Sequence, residues 1–246
     1  MNKLLFITIS YVFTLGFLMS CAGVGVGEPQ VVETQWVQRY AYSDPVSVSP
    51  SMYSVLLNNS YCRVINIVVK PGEQDNWHSH PEAAIYLVND SEVTIFTPDY
   101  DPEVVSQSAG YCYFDKATNI HSIKNTGESI YRGIMVELKS NTSSNVSLGS
   151  SLANGPSENI SIKLDNNKVR ILELGLNPGE INGISESSRV ATYFLTEANL
   201  KITNQGNNAN SHLYSAGEVR FDNGPGSRTF ENIGKKKIRS IQFELK

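Results

Sequence analysis

The chain has 246 residues, of which 40% are hydrophobic, so it can bury one large core or two small ones. Its formal charge of −4, its pI near 5.6 and the lack of a basic stretch before the C-terminal "GKKKIR" argue against nucleic acid as a partner. The sequence contains no P-loop, dinucleotide fingerprint or nucleophile elbow, and it gives no support to the enzyme classes that depend on them.

An uncharged run from Leu4 to Leu18 is typical of a signal-peptide core, because it is short for a membrane span. The run ends in "LMSC", which resembles a bacterial lipobox and predicts that Cys21 is lipidated and becomes the mature N-terminus. The alternative is an ordinary signal peptide with an incidental cysteine. Ala22 follows Cys21, and by resemblance to lipoprotein sorting in Gram-negative bacteria it favours the outer membrane. We therefore expect residues 1–21 to be the signal peptide of an exported, membrane-anchored, periplasm-facing lipoprotein.

An internal repeat organises most of the remaining chain. A shift of 107 residues aligns 53–139 with 160–246 without a gap. "VVKPGE" then matches "GLNPGE", "SAGYCYFD" matches "SAGEVRFD", and "VELK" matches the closing "FELK". An ungapped match of this length indicates a duplication and predicts an N-terminal domain over 53–139 and a C-terminal domain over 160–246.

Each copy contains short β-prone runs, such as "YCRVINIVV", "AAIYLV" and "EVTIF", separated by clusters of Gly, Asn, Asp and Pro. This spacing is typical of all-β sandwiches and barrels, and no segment sustains a helical period. Residues 140–159 form a Ser/Asn/Gly-rich linker between the copies, and residues 22–52 form an N-terminal tether and arm.

Histidines mark the N-terminal copy as the candidate site. His78 and His80 follow a Pro-Gly turn and, on a strand, would point to the same side about 6.5–7 Å apart at the Cα atoms. A third imidazole has to come from a neighbouring strand, and His121 is the candidate, whereas His212 falls in a predicted loop. Three neutral imidazoles can bind a divalent transition metal such as Fe, Cu, Ni, Zn or Mn. The alternative is a polar pocket without metal.

The spacing around these histidines resembles the paired motifs of the cupin family. The matching positions are Gly72, His78, His80, Gly110, His121 and Asn125. The resemblance covers both repeats and implies an all-β fold of two tandem double-stranded β-helix, or jelly-roll, domains, that is, a bicupin. The stretch that leads into the first motif is also similar to small stand-alone cupins with no assigned activity.

One departure from the family pattern affects the expected metal ligands. The family would have a glutamate four residues after the second histidine, where this chain has Ala84. Glu82 lies two residues early and could approach the site only through a local rearrangement. Some cupin dioxygenases use three histidines without the acid, so catalysis is not excluded, although the nearest obvious general base is missing.

The C-terminal copy is predicted to be metal-free. Adding 107 to the three histidine positions gives Ser185, Ser187 and Arg228, none of which suits such a metal. Arg189 and Arg228, with the two serines beside them, could instead receive a carboxylate, phosphate or sulfate. The alternative is that each arginine pairs with a nearby acid such as Asp222 or Glu186, or reaches solvent.

Each of the remaining candidate residues also has an interpretation as part of the packed core. Trp77 and Tyr86 flank the first histidine pair and could wall a substrate pocket, although aromatic residues in a barrel are more often packing. Cys62 and Cys112 could form one disulfide in an exported protein or stay as buried thiols.

Together these observations predict a monomeric, lipid-anchored bicupin with one three-histidine metal site. Its expected role is to bind a small molecule or anion. The alternative is a metal-dependent enzyme, of oxygenase or isomerase-like type, that acts on a small organic substrate.

Overall fold

The computed structural model describes residues 43–117, 120–139, 152–153, 159–186, 189–204, 209–224 and 226–246. All of them lie in one compact unit. The signal peptide, Cys21 and most of the tether and linker lie outside the described residues. Among the residues described, no helix is both long and apolar enough to cross a bilayer.

The described chain is almost entirely β. One short helix, α1 (Pro45–Val48), precedes the first strand and is capped by the Asp44 side chain. The N-terminal copy contains β1 (Tyr53–Asn58), β2 (Cys62–Val69), β3 (Ala83–Leu87), β4 (Ser91–Phe96), β5 (Glu103–Gln107), β6 (Cys112–Asp115), β7 (Ser122–Asn125) and β8 (Tyr131–Leu138). A two-residue strand, β9 (Leu152–Ala153), falls within the predicted linker.

Among the described residues, the C-terminal copy repeats this series with one additional strand, and four of its other strands are longer than their counterparts. Its strands are β10 (Ile160–Asp165), β11 (Val169–Leu176), β12 (Ile181–Glu186), β13 (Arg189–Phe194), β14 (Ala198–Asn204), β15 (Ala209–Tyr214), β16 (Val219–Asp222), β17 (Gly226–Asn232) and β18 (Ile238–Leu245).

Each copy is built from two antiparallel sheets. The larger sheets have the orders β1-β2-β8-β3-β6 and β10-β11-β18-β13-β16, and the smaller ones β5-β4-β7 and β15-β14-β17-β12-β9. The chain passes back and forth between the two sheets of each copy, as in a jelly roll. The predicted fold class, two tandem double-stranded β-helix domains, is confirmed.

The 107-residue repeat is visible in the strand registers. Cys62 pairs with Leu138 where Val169 pairs with Leu245, and both copies have the same irregularity in their first strand pair. Each copy also ends its motif with a buried asparagine. The Asn125 amide donates to the carbonyls of Val69 and Ser129, and the Asn232 amide donates to the corresponding carbonyls in the second copy. Because these bonds are local to each copy, the same sequence signals can form the same turns twice.

The larger sheets are buried on both faces. On β2, Cys62 and Val64 belong to a cluster that contains residues of both copies, which we call the inter-repeat core. Ile65 and Ile67, which point the other way, pack inside the N-terminal copy, which we call the N-terminal cup. A separate cluster around Phe194 fills the C-terminal cup. The inter-repeat core therefore joins the two copies through the outer faces of their larger sheets.

Both described cysteines are free thiols, which is one of the two alternatives that the sequence left open. Cys62 is buried in the inter-repeat core, and Cys112 packs against that core. Burial raises the pKa of each thiol to about 12. At neutral pH both therefore stay protonated and act as small apolar side chains.

Candidate metal centre in the N-terminal cup

A glycine turn brings the histidine segment alongside β7. Gly72 has a φ of 81°, which favours glycine, and its N–H donates to the Asn125 carbonyl. The chain then runs antiparallel to β7, and His78 and His121 exchange backbone hydrogen bonds of 2.9 and 2.8 Å. The two segments that carry the motif histidines are thus direct neighbours.

The three imidazoles lie close together without surrounding one point. Ring centres are 4.4 Å apart for His78 and His121, 5.3 Å for His80 and His121, and 6.5 Å for His78 and His80. A metal about 2.1 Å from an imidazole nitrogen is about 3.2 Å from the ring centre, so two rings on one ion are at most about 6.4 Å apart. No group of three or more His, Cys, Asp or Glu side chains among the described residues is already arranged to hold a metal. The rings of His78 and His80, which are 6.5 Å apart, would have to move inward slightly.

The hydrogen bonds of two rings suit metal ligands. His78 Nδ1 lies 2.9 Å from the Asn76 carbonyl oxygen, and His80 Nδ1 lies 2.9 Å from the Pro81 carbonyl oxygen. Because a carbonyl oxygen can only accept, each Nδ1 carries the proton and each Nε2 keeps its lone pair. Burial lowers the pKa of His78 to about 4, so this ring is neutral at physiological pH, as a metal ligand must be. The donor set therefore fits a divalent transition metal.

A buried carboxyl–phenol pair supports the first histidine. The Tyr53 hydroxyl donates to Asp75 Oδ2 at 2.5 Å and lies 3.5 Å from His78 Nε2, while the Ile123 N–H donates to Asp75 Oδ1. Burial raises the pKa of Asp75, which the hydrogen bond from Tyr53 opposes, and burial also raises the pKa of Tyr53 well above its usual value. Tyr53 is therefore a protonated phenol at neutral pH. Sequence reasoning missed this pair, because no motif links residues 53, 75 and 78.

A second carboxyl group faces the histidines from β6. Asp115 Oδ2 lies 4.0 Å from His80 Nε2, and the residue pairs with Ala83 across the β3–β6 ladder. Burial raises the pKa of Asp115, and the charge of a protonated His80 would lower it. Asp115 was also missed from the sequence, since its position opposite the histidines depends on which strands are neighbours.

The three histidines open into a cavity of about 440 Å³, within the range of small-molecule sites. Four tyrosines, two carboxyl groups and a set of aliphatic side chains share its wall. The polar and aromatic members are Tyr53, His78, His80, Thr97, Glu103, Gln107, Tyr111, Tyr113, Asp115, His121 and Tyr131.

The predicted pocket wall of Trp77 and Tyr86 is wrong. Trp77 is 43% exposed and lies outside the cavity, and Tyr86 is buried in the inter-repeat core. Strand alternation explains the second error, because Ile85 lines the cavity and its neighbours on β3 therefore face away. Ala84 accordingly packs in the inter-repeat core, so the cup-facing residue at this point is Ile85, which is also not an acid.

Glu82 does not supply the acid either. Its carboxylate lies 3.2 Å from the Lys168 ammonium in the other copy. The rearrangement that would bring Glu82 to the histidines is therefore not observed.

Both arginines that were considered for an anion site in the C-terminal cup have protein partners in the structure. Arg228 Nη1 lies 2.7 Å from Asp222 Oδ1, as the alternative interpretation expected. The Arg189 guanidinium lies over the Tyr61 ring, 3.9 Å from its centre, and its Nε donates to Asn223. Neither guanidinium lines the C-terminal cavity, because the acid binds one and an aromatic ring of the other copy covers the second.

The other C-terminal residues considered from the sequence are Ser185, Ser187 and His212. Ser187 lies outside the described residues, and Ser185 is placed only through its backbone, which pairs with Ser227. His212 lies on β15 rather than in a loop and packs against the Tyr214 ring. The C-terminal cavity measures about 40 Å³ and is mostly apolar, with Arg220 on its wall.

No protein-family model and no curated protein matches the chain. Among solved structures, oxalate decarboxylase from Bacillus subtilis at pH 4.6 is 14% identical over 79% of this chain and 74% of that chain, with a TM-score of 0.54. The formate complex of oxalate decarboxylase from Lactobacillus farciminis is 13% identical over 79% and 84%, also with a TM-score of 0.54. A cupin domain from Bordetella pertussis Tohama I is 18% identical over 36% of this chain and 93% of that chain, with a TM-score of 0.35.

At these identities the likeness shows the fold alone. The chain has a cupin fold, and more particularly a bicupin fold with two jelly rolls in tandem.

Proposed function

We propose that this bicupin binds one divalent transition metal in its N-terminal cup, through His78, His80 and His121, and a small molecule in the cavity beside it. The main support is the hydrogen bonding of His78 and His80, in each of which the Nδ1 proton is donated to a backbone carbonyl. The ring of His121 lies next to that of His78. This arrangement leaves the Nε2 lone pairs for a metal.

The fold neighbours support the metal but not its identity. The oxalate decarboxylase of Bacillus subtilis has Mn(II) centres. Imidazole ligands suit Fe, Cu, Ni and Zn as well, and a carboxylate nearby makes Mn acceptable. When bound, the metal would act as a Lewis acid toward a small molecule in the cavity. The protein would supply a neutral His78, an orienting Tyr53–Asp75 pair and the walls of the cavity.

The small molecule is assigned to the N-terminal cup rather than to the C-terminal one. The N-terminal cavity is about 440 Å³, whereas the C-terminal cavity is about 40 Å³, roughly enough for a water molecule. A metal-dependent enzyme of oxygenase or isomerase-like type is the second candidate. It is favoured by Asp115, which lies 4.0 Å from His80 Nε2 and could accept a proton from a molecule in the cavity.

We also propose that Cys21 anchors the chain to the outer membrane, with the described unit facing the periplasm as a monomer. The support is the "LMSC" sequence at the end of the apolar run. Mass spectrometry of the N-terminal peptide would show a diacylglycerol-modified Cys21 in a bacterial host, and a Cys21→Ser variant would lack it. An unmodified Cys21 in the membrane fraction would contradict the anchor.

Metal content tests the main proposal. Full-length protein, purified in detergent and reconstituted with one metal at a time, should retain about one equivalent after gel filtration. A His78→Ala/His121→Ala double variant should retain none. His212→Ala serves as the matched control, since His212 lies on β15 of the C-terminal copy and does not line the N-terminal cavity. Equal metal content in wild type and double variant, or none in either, would contradict the proposal.

A further inference from the structure

We propose that Asp115 supplies the anionic ligand of the N-terminal metal centre, and that the Arg228–Asp222 ion pair is the metal-free version of the same contact in the C-terminal cup. This inference rests on the proposed metal site. It adds a residue that lies on a different strand from the one where the family motif has its acid.

The strand that follows the histidine pair offers no acid to the cup. The cup-facing residues of β3 are Ala83, Ile85 and Leu87, whereas Ala84 faces the inter-repeat core. Asp115 lies on β6, directly opposite Ala83 in the β3–β6 ladder. The small side chain at residue 83 leaves room beside the histidines for the carboxyl group of its cross-strand partner.

The distance between Asp115 and His80 fits two ligands of one ion. Donor atoms about 2.1 Å from the same metal are separated by about 3 Å when adjacent and about 4.2 Å when opposite. Asp115 Oδ2 and His80 Nε2 are 4.0 Å apart, and both residues line the cavity.

Two buried carboxyl groups of the N-terminal copy already have strong partners. Asp75 accepts hydrogen bonds from Tyr53 and from the Ile123 N–H, and Glu137 forms a two-bond ion pair with Arg63. For Asp115, the ion-pair partner within 4.0 Å among the described residues is His80. Asp115, which faces the histidines, therefore has capacity to bind a metal.

The C-terminal copy shows how a carboxylate at the position of Asp115 interacts with a nearby cation. Asp222 occupies the place of Asp115, since it pairs with Val190 as Asp115 pairs with Ala83. Arg228 occupies the place of His121, and its Nη1 lies 2.7 Å from Asp222 Oδ1. The carboxylate at this position thus reaches a side chain at the third histidine position, inside a copy with the same strand register.

A bound divalent ion would balance the charge of Asp115 as two arginines balance the charge of Asp222. Asp222 is 4% exposed and is neutralised by Arg228 and by Arg220, whose Nε donates at 2.8 Å. The residue that corresponds to Arg220 in the N-terminal copy is Tyr113, and the one that corresponds to Arg228 is His121. Two cations are therefore replaced by a phenol and an imidazole. A divalent ion would restore the positive charge that a partly buried carboxylate requires.

Cobalt titration tests the assignment. Full-length protein in detergent is titrated with Co²⁺ while calorimetry measures affinity and visible absorption measures the d–d bands. Asp115→Asn keeps the shape of the side chain and removes its charge. We expect it to weaken Co²⁺ binding about 10- to 100-fold and to change the d–d spectrum. Asp101→Asn, the same substitution at an exposed residue between β4 and β5, should behave as wild type.

The outcomes separate this assignment from the proposed function. Wild-type affinity and spectrum in Asp115→Asn, with one Co²⁺ bound, would overturn the role of Asp115 and leave the three-histidine site standing. Failure of the wild-type protein to bind Co²⁺ would overturn both. Circular dichroism and thermal unfolding of metal-free Asp115→Asn check that the variant is folded, and Asp222→Asn should bind Co²⁺ with unchanged affinity.

Discussion

The N-terminal and C-terminal cups have the same strand registers and different interiors. Both copies have a motif glycine with positive φ, at Gly72 and Gly179, and a buried asparagine that closes the corresponding turn. The N-terminal cavity nevertheless has about eleven times the volume of the C-terminal one. The fold depends on turns and on buried faces that both copies retain, whereas the site depends on a few cup-facing side chains that only one copy retains.

The largest effect is expected when the third histidine is replaced by its C-terminal counterpart. His121→Arg should abolish metal uptake, with a loss of affinity greater than about 100-fold, because a ligand is removed and a cation is placed beside Asp115. Metal content after reconstitution checks this. The control is His212→Arg, which makes the same change on β15 and should leave one equivalent bound; uptake by His121→Arg would contradict a three-histidine site.

Removing the acid of the C-terminal cup should lower the free energy of unfolding more than removing the acid of the N-terminal cup. Asp222→Asn removes the charge of the buried carboxylate that both Arg220 and Arg228 contact. Removing one partner of such a pair costs about 3 kcal/mol, at the low end of the usual range because both guanidiniums are one-fifth exposed. Urea unfolding measures this. Metal-free Asp115→Asn should lose less stability than Asp222→Asn, and the reverse order would contradict the charge comparison.

The metal-free protein should lose stability as the pH falls, and the loss should arise in the N-terminal cup. Because burial lowers the pKa of His78 from about 6.5 in the unfolded chain to about 4, the unfolded state binds a proton that the folded state does not. The free energy of unfolding should therefore have its full value above about pH 6.5 and fall by up to about 3 kcal/mol as the pH approaches 4.

A His78→Gln variant provides the comparison for this pH dependence. Urea unfolding at several pH values should show a flatter profile in this pH range for the variant than for the wild-type protein. An identical profile for both would show that another group causes the loss.

The smallest effect is expected where one copy already contains the substitution. Val169 stands where the N-terminal copy has Cys62, and both are fully buried in the inter-repeat core. Cys62→Val should therefore change the free energy of unfolding by less than about 1 kcal/mol, whereas Cys62→Ser, which buries a hydroxyl, should cost more. Equal destabilisation by the two variants would show that the inter-repeat core distinguishes the copies at this position.

Much of the fold was predictable because its signals are local. The ungapped repeat, the turn glycines and the histidine spacing identified two jelly rolls and the three imidazoles that lie together. The errors came from strand faces and strand neighbours. A one-residue error in the face of a strand exchanges core and cavity, which is why Ala84 and Tyr86 were assigned to the cup although Ile85 lines it.

A second cause explains why the sequence did not predict Asp115 and Tyr53. Asp115 and Tyr53 reach the histidines from β6 and β1, and no sequence spacing encodes which strands lie beside the motif segment. The second copy contained a usable signal, however. Asp115 and Asp222 are both retained in the matching segments "SAGYCYFD" and "SAGEVRFD", while the histidines are not.

Anomalous diffraction from crystals of the metal-loaded protein tests the central claim most directly. We predict one peak per chain, about 2.0–2.2 Å from Nε2 of His78, His80 and His121 and within reach of Asp115, and no peak in the C-terminal cup. No peak at the histidines, or a peak between Arg228 and Asp222, would contradict the division of roles between the two copies.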